Sequence, residues 1–229
     1  MDIRWLGHAT FELVSREHRV LVDPFLAPDN PAAPVGADEL EPTDILLTHG
    51  HSDHMSHVVD VAKRTGARCV ALVELAKWLG EQGVEDVADP NLGGTVERDW
   101  GWVKLVPAFH TNTLPDGTVV GLAAGLVIYL DGTTIYHLGD TALFGDLELI
   151  AERTPVNVAL VPIGGHYTMD QDDAVTAAEL LDADVVIPMH YDTFPPIEAD
   201  PERFKSDVEA SPRTSSEVVI LKPGDTHTV

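Results

Sequence analysis

Apolar and polar residues alternate over short stretches at the start of the chain. Residues 3–6, 10–14 and 19–23 each read as a strand, separated by turn-forming breaks at Gly7-His8 and at residues 15–18. From Pro24 to Pro42 the pattern lapses into prolines and acids, which predicts a long ordered loop or lid, because strand signal resumes at once over residues 44–47. Residues 55–64 carry apolar side chains at helical spacing and stop at Gly66, and residues 73–82 predict a second helix. Strand patterns return over 96–107 and 122–138, where Asp131-Gly132 between two apolar runs predicts a hairpin turn. The second half then alternates: helix 147–152, strand 156–161, helix 170–181, strand 185–188, a helix near 201–209 and a last strand over 217–221. No repeat is detectable. Sheets covered by helices, an α/β or α+β class, are the expectation.

Length and composition narrow the class without changing it. The 229 residues suit a single domain over 1–229, and 44% hydrophobic with 23% charged residues is ordinary for a soluble globular protein. The longest uncharged apolar run, residues 119–130, is too short to span a bilayer. The first residues show no basic segment followed by an apolar stretch, so no secretory signal is expected and a cytoplasmic location is. A single cysteine, Cys69, excludes an internal disulfide framework and reads as core.

The charge is less ordinary. Thirty-eight acids against 14 bases give −24. Such a surface repels phosphate backbones and anionic lipid, so neither nucleic acid nor membrane is expected as a partner. The same acid excess, with few lysines, predicts tolerance of high salt.

Chemistry concentrates after the strand at 44–47. His49-Gly50-His51-Ser52-Asp53-His54 packs three imidazoles and a carboxylate into six positions between a buried strand and a helix. Residues two apart in extended chain face one side, so His49 and His51 can grip one ion together, while Asp53 and His54, turned away at the helix entry, can face a second. Imidazole with carboxylate suits divalent transition metals, zinc first, with manganese or iron as alternatives. A structural zinc site would usually take cysteines. Six residues cannot fill two coordination shells, and further donors stand at later strand exits: His110, Asp140 and His190.

These residues carry a family resemblance. The His-x-His-x-Asp-His run with a later His, Gly-Asp and His resembles the metallo-β-lactamase superfamily. Leu6 to Phe11, Asp23-Pro24-Phe25, Tyr136 to Thr141, Thr168-Met169, Pro188 to Tyr191 and Phe194-Pro195 are similar to its branch of metal-dependent hydrolases related to ascorbate-6-phosphate lactonase. The resemblance implies a four-layer αββα sandwich with metals at the shared edge of two sheets. It implies that His49, His51 and His110 hold one metal, that Asp53, His54 and His190 hold another, and that Asp140 bridges them. No glutamate replaces His51, so the redox chemistry of the flavin-linked diiron branch is not expected.

The expected enzyme is therefore a metal-dependent hydrolase in which a hydroxide shared by two divalent ions cleaves an ester-like bond of a small molecule, with Asp53 as a catalytic ligand. The bond is a lactone, ester, amide or thioester; a phosphodiester of a small nucleotide or lipid head group is the alternative, and a non-catalytic metal-binding or interaction protein the reading from another class. His166, on a glycine-rich loop, is expected to contact substrate or donate a proton to the leaving group. His8, on the turn after the first strand, is expected to contact substrate or support the site from behind, and Asp23 to support it as a carboxylate. The segments 24–42 and 193–201 are expected to wall the pocket. A homo-oligomer is a further expectation.

Overall fold

A computed structural model describes residues 1–229 and contains two seven-stranded mixed sheets with flanking helices. The first half begins with an antiparallel meander, β1 (Asp2–Trp5), β2 (Phe11–Ser15) and β3 (His18–Val22), and continues in parallel through β4 (Asp44–Leu46), β5 (Arg68–Val70) and β6 (Val87–Ala88). Its helices are α1 (Ser52–Met55), α2 (Val58–Thr65) and α3 (Val73–Glu81). The second half repeats the plan: a meander of β7 (Thr95–Arg98), β8 (Gly101–Pro107), β9 (Ala124–Leu130) and β10 (Thr133–His137), then parallel β11 (Val158–Pro162), β12 (Val185–Met189) and β13 (Glu217–Val218). Helices α4 (Asp146–Arg153), α5 (Gln171–Leu181) and α6 (Pro201–Ala210) belong to this half. The last strand, β14 (Thr226–Thr228), crosses back to pair antiparallel with β1 and fills in the first sheet the place β7 holds in the second.

The two-residue period of the strands sorts side chains between layers. On the first sheet Val20, Val22, Leu46, Val70 and Leu72 face the second sheet, in a core of 44 buried residues. Leu21, Ile45, Leu47, Cys69 and Ala71 face outwards into a second core of 19, closed by α2 and α3 through Val58, Val61, Ala62, Leu75 and Leu79. All five residues of β11 are buried, which explains why that strand reads as an unbroken apolar run. Cys69 lies in the outer core, and burial pushes its thiol up to about 12. No helix is long and apolar enough to cross a membrane.

Pairing directions decide where the loops go. In each sheet the first strand of a consecutive antiparallel trio runs in the same sense as the third, so β1 runs with β3, and β8 with β10. The chain therefore leaves β1, β3, β4 and β5 at one edge of the first sheet, and β8, β10, β11 and β12 at one edge of the second. Those exits carry His8, Asp23, the 49–54 segment, His110, Asp140 and His190.

Several local expectations change. The helix expected over 55–64 is broken at Ser56-His57 because the neighbouring loop ties in there: His57 donates its backbone N–H to Pro24 O at 3.1 Å, and its Nδ1 accepts from Leu26 N at 3.2 Å. The 24–42 segment is an ordered loop fastened by Asn30, whose amide donates to Phe25 O and accepts from Ala32 N, both at 2.9 Å. The strand expected over 96–107 is a hairpin, β7–β8. The turn at Asp131-Gly132 forms as expected, with both residues at positive φ, 48° and 92°. β6 and β14, at two and three residues, are too short to leave a periodic signal.

Candidate metal centre

The site is built from strand exits held in fixed rotation by buried hydrogen bonds. Asp23, one residue past β3, accepts from the backbone N–H of Thr48 at 2.8 Å on Oδ1, and from its hydroxyl at 2.6 Å on Oδ2. His54 Nδ1 lies 2.8 Å from the same Oδ2. A carboxylate can only accept, so Nδ1 of His54 carries the proton and its Nε2 presents a lone pair. Thr48 spends its only proton on Asp23, so His49 Nδ1, at 2.9 Å, donates to the Thr48 oxygen. The Nε2 atoms of both histidines thereby face inwards, that of His49 lying 3.0 Å from His51 Nδ1. Asp23 thus supports the site in the way expected of it.

Two groups of donor atoms form. His49, His51 and His110 bring one nitrogen each to within 4.8 Å of one another, and Asp53, His54 and His190 gather likewise with His8. Asp140, three residues beyond β10, stands between the groups. Its Oδ1 is 3.3 Å from His54 Nε2, and its Oδ2 is 3.1 Å from His190 Nε2, 3.5 Å from His110 Nε2 and 4.0 Å from His49 Nε2. The seven residues expected as ligands are all brought together.

Charge and burial favour a cation here. His54 Nε2, Asp140 Oδ1 and both ring nitrogens of His190 are buried without a hydrogen-bond partner. Buried polar atoms are rarely left so, and a cation held among them would satisfy the lone pairs of the imidazoles and the carboxylate. Burial opposes charge on His54, yet the carboxylates of Asp140 and Asp23 on either side of its ring raise it well above the ordinary imidazole value. Burial holds His49, His51 and His110 below that value, which leaves them neutral and free to ligate. Burial works to raise Asp140, but His190 and His54 overcome it and keep the carboxyl well below its usual range. The donor set fits divalent ions of the zinc, manganese and iron type.

A cavity of about 710 Å³ opens over these groups, bordered by His51, Asp53, His110, Asp140 and His190. The 193–201 segment walls it with Phe194 and Pro196, and the 24–42 segment contributes Phe25 alone. The segment 111–117, which supplies five more lining residues, had no signal in the sequence. It is held in place by buried Asn112, whose Oδ1 accepts from Gly50 N at 2.8 Å while its amide donates to Val120 O at 2.9 Å and Leu122 O at 2.7 Å. Only its position two residues after His110 could have drawn attention to Asn112.

Neither His8 nor His166 borders the cavity. His8 is fully buried at φ +56° and does not border the cavity. Its Nδ1 lies 2.9 Å from Thr193 Oγ1 and its Nε2 3.2 Å from Asp53 Oδ2, so it stands behind Asp53 and braces it. Burial, with His190 beside it, lowers His8 to about 4. His166 is exposed at φ +52° and is not part of the lining; Tyr167, packed edge-on against it, borders the cavity. Gly139 has no room for a Cβ, which would lie 2.7 Å from Ala124 O and 3.1 Å from Thr48 Cβ, so the glycine permits the two sheet edges to touch.

Residues 2–190 match the β-lactamase superfamily domain. A UPF0173 metal-dependent hydrolase from Methanopyrus kandleri is 46% identical over 230 residues, covering 99% of both chains. One from Thermococcus onnurineus is 48% identical over 229 residues, covering 98% of both. Among solved structures, Igni18, a metallo hydrolase from the hyperthermophilic archaeon Ignicoccus hospitalis, is similar with a TM-score of 0.89 and 34% identity, over 99% of this chain and 97% of that one.

Proposed function

The chain belongs to the UPF0173 metal-dependent hydrolase family of the β-lactamase superfamily, and from that premise we propose that it cleaves an ester-like bond of a small molecule at a centre of two divalent ions. In this reading His49, His51 and His110 hold one ion, Asp53, His54 and His190 the other, and Asp140 both. The observation that carries it is the Asp140 carboxylate, within 4.0 Å of histidines from both groups and with one oxygen unpartnered. When bound, such ions, zinc first and manganese or iron next, polarise the substrate oxygen and bring the pKa of water from 15.7 towards about 7.

The chain's own residues do the positioning. Asp23 and Thr48 hold the Nδ1 atoms of His54 and His49, which turns the Nε2 of each ring inwards. Asp53 borders the cavity, partly exposed and braced by His8, where it can orient the attacking water. The burial of Asp53 works to raise its carboxyl, but the hydrogen bond from His8 and the charge of His54 bring it well below the ordinary value, so it stays an acceptor. A lactone, ester, amide or thioester fits these roles. The partner is a small molecule, and the net charge of −24 supports neither nucleic acid nor an anionic membrane in its place. Residues 1–229 act in this reading as one hydrolase domain, a view supported by the pairing of β14 with β1 from opposite ends of the chain.

Elemental mass spectrometry tests the reading. The parent protein is expected to carry about two ions per chain, and Asp140→Ala to lose metal and turnover of chromogenic esters together. Full metal content in the variant contradicts the shared carboxylate.

A further inference from the structure

The walls of the cavity, rather than its His–Asp floor, decide what kind of molecule it accepts. Phe25 and Phe194, with ring centroids 6.3 Å apart, line it together with Tyr167, Pro196, Leu114 and Pro115. Ser52, Thr111 and Thr113 add hydroxyls. No lysine or arginine borders the space, and its only acids, Asp53 and Asp140, belong to the candidate ligand groups. Several of the chain's cations pair with acids elsewhere: Arg4 and Arg19 with Glu12, Arg98 with Asp44, Arg203 with Asp172 and Asp207.

A charged arm would therefore lose its hydration between these walls and gain no counter-charge, and a buried unpaired charge is strongly disfavoured. Phosphate and carboxylate recognition relies on arginine, lysine or aligned backbone donors, and the walls supply no such cation. The net charge of −24 adds a field that repels anions. A volume of about 710 Å³ lies within the range of ordinary small-molecule sites.

Resting on the hydrolase reading above, we propose that the substrate is uncharged away from its reacting bond and seats an apolar arm, aryl or short alkyl, against Phe25, Phe194, Leu114 and Pro115. Its electrophilic acyl carbon then meets the floor. Hydrolysis adds one water: the acyl carbon gains an oxygen, its bond to the leaving oxygen, sulfur or nitrogen breaks, and the leaving group departs with a proton.

The test uses two esters that differ only in the arm, 4-nitrophenyl butyrate and 4-nitrophenyl hemisuccinate, with bis(4-nitrophenyl) phosphate as the anionic diester. On metal-loaded protein the butyrate is expected to lead the other two in kcat/KM by about 100-fold, the discrimination a site without a counter-charge gives. Thr113→Lys, with metal content and melting temperature unchanged, is expected to move the hemisuccinate-to-butyrate ratio up by about tenfold. Equal rates, or a lead for hemisuccinate or the diester, overturn the apolar-arm proposal and leave the hydrolase reading standing. Hydrolysis of none of the three by protein of full metal content overturns the hydrolase reading. Calorimetric binding of the 4-nitroanilides of the same two acids to protein stripped of metal reads the arm preference independently of turnover. Tighter binding of the butyric anilide supports it; equal or tighter binding of the succinic one overturns it.

Discussion

His137 shows how single side chains tie the two sheets together near the site without reaching into it. Its Nε2 donates to Ala9 O at 2.8 Å and its Nδ1 accepts from Gly139 N at 3.1 Å, a pattern that only the neutral ring satisfies. Burial holds its imidazole below the ordinary 6.5. The folded state then binds fewer protons than the unfolded chain below that value, so the contribution is complete above about pH 6.5 and is lost as the pH falls. Denaturant unfolding at pH 8 and pH 5 is expected to show a smaller loss in His137→Gln than in the parent, since glutamine has no ring to protonate. An equal loss in both removes the assignment. At this scale the sequence was informative where donors sit beside one another, as in His49 to His54. It left open which of its two expected places His8 takes and where the His166 ring points, because the direction of a side chain at positive φ does not follow from the residue type.

The 110–122 segment is where an element-scale property governs the site. Gly50 has no room for a Cβ, which would come within 2.8 Å of Val120 Cγ2 and 3.2 Å of Asn112 Oδ1. The tight fit means that the loop carrying His110 and the loop carrying His51 move as one piece, with Asn112 as the fastener. Asn112→Ala removes three hydrogen bonds, two of them to carbonyls that would be left without this donor. The expected cost is about 2–3 kcal/mol of stability. Metal affinity is expected to fall by about 10- to 100-fold, as for other supports of a ligand, with competition against a chelator as the measurement. Affinity unchanged alongside lowered stability would make Asn112 purely a loop fastener.

Two halves of the same topology, an antiparallel meander followed by parallel strands, meet at one edge and place their exits face to face. His8 and His110 both lie three residues beyond the first strand of an equivalent trio, β1 and β8, though one braces a ligand and the other is placed to be one. The net charge of −24 belongs to the molecule as a whole, and its self-repulsion weakens as salt screens it over about 10 Å at 0.1 M. The thermal unfolding midpoint is expected to rise between low and molar sodium chloride. A flat or falling midpoint removes the expectation of salt tolerance.

The sequence by itself determined the elements and the donor types. Helical spacing, strand alternation, the Asp131-Gly132 turn and the crowding of His49 to His54 are relations between near neighbours, set by backbone geometry that adjacent residues share. Even the distant His110, Asp140 and His190 were legible, because each follows an apolar strand and strand exits converge in sandwiches of this kind. The tertiary structure alone decided that His8 braces Asp53, that Asn112 holds Gly50 62 residues away, and that the cavity is walled by phenylalanine, leucine and proline without a cation. Those contacts depend on the register of two sheets and on the packing between them, and nothing in the local pattern of either partner carries that information.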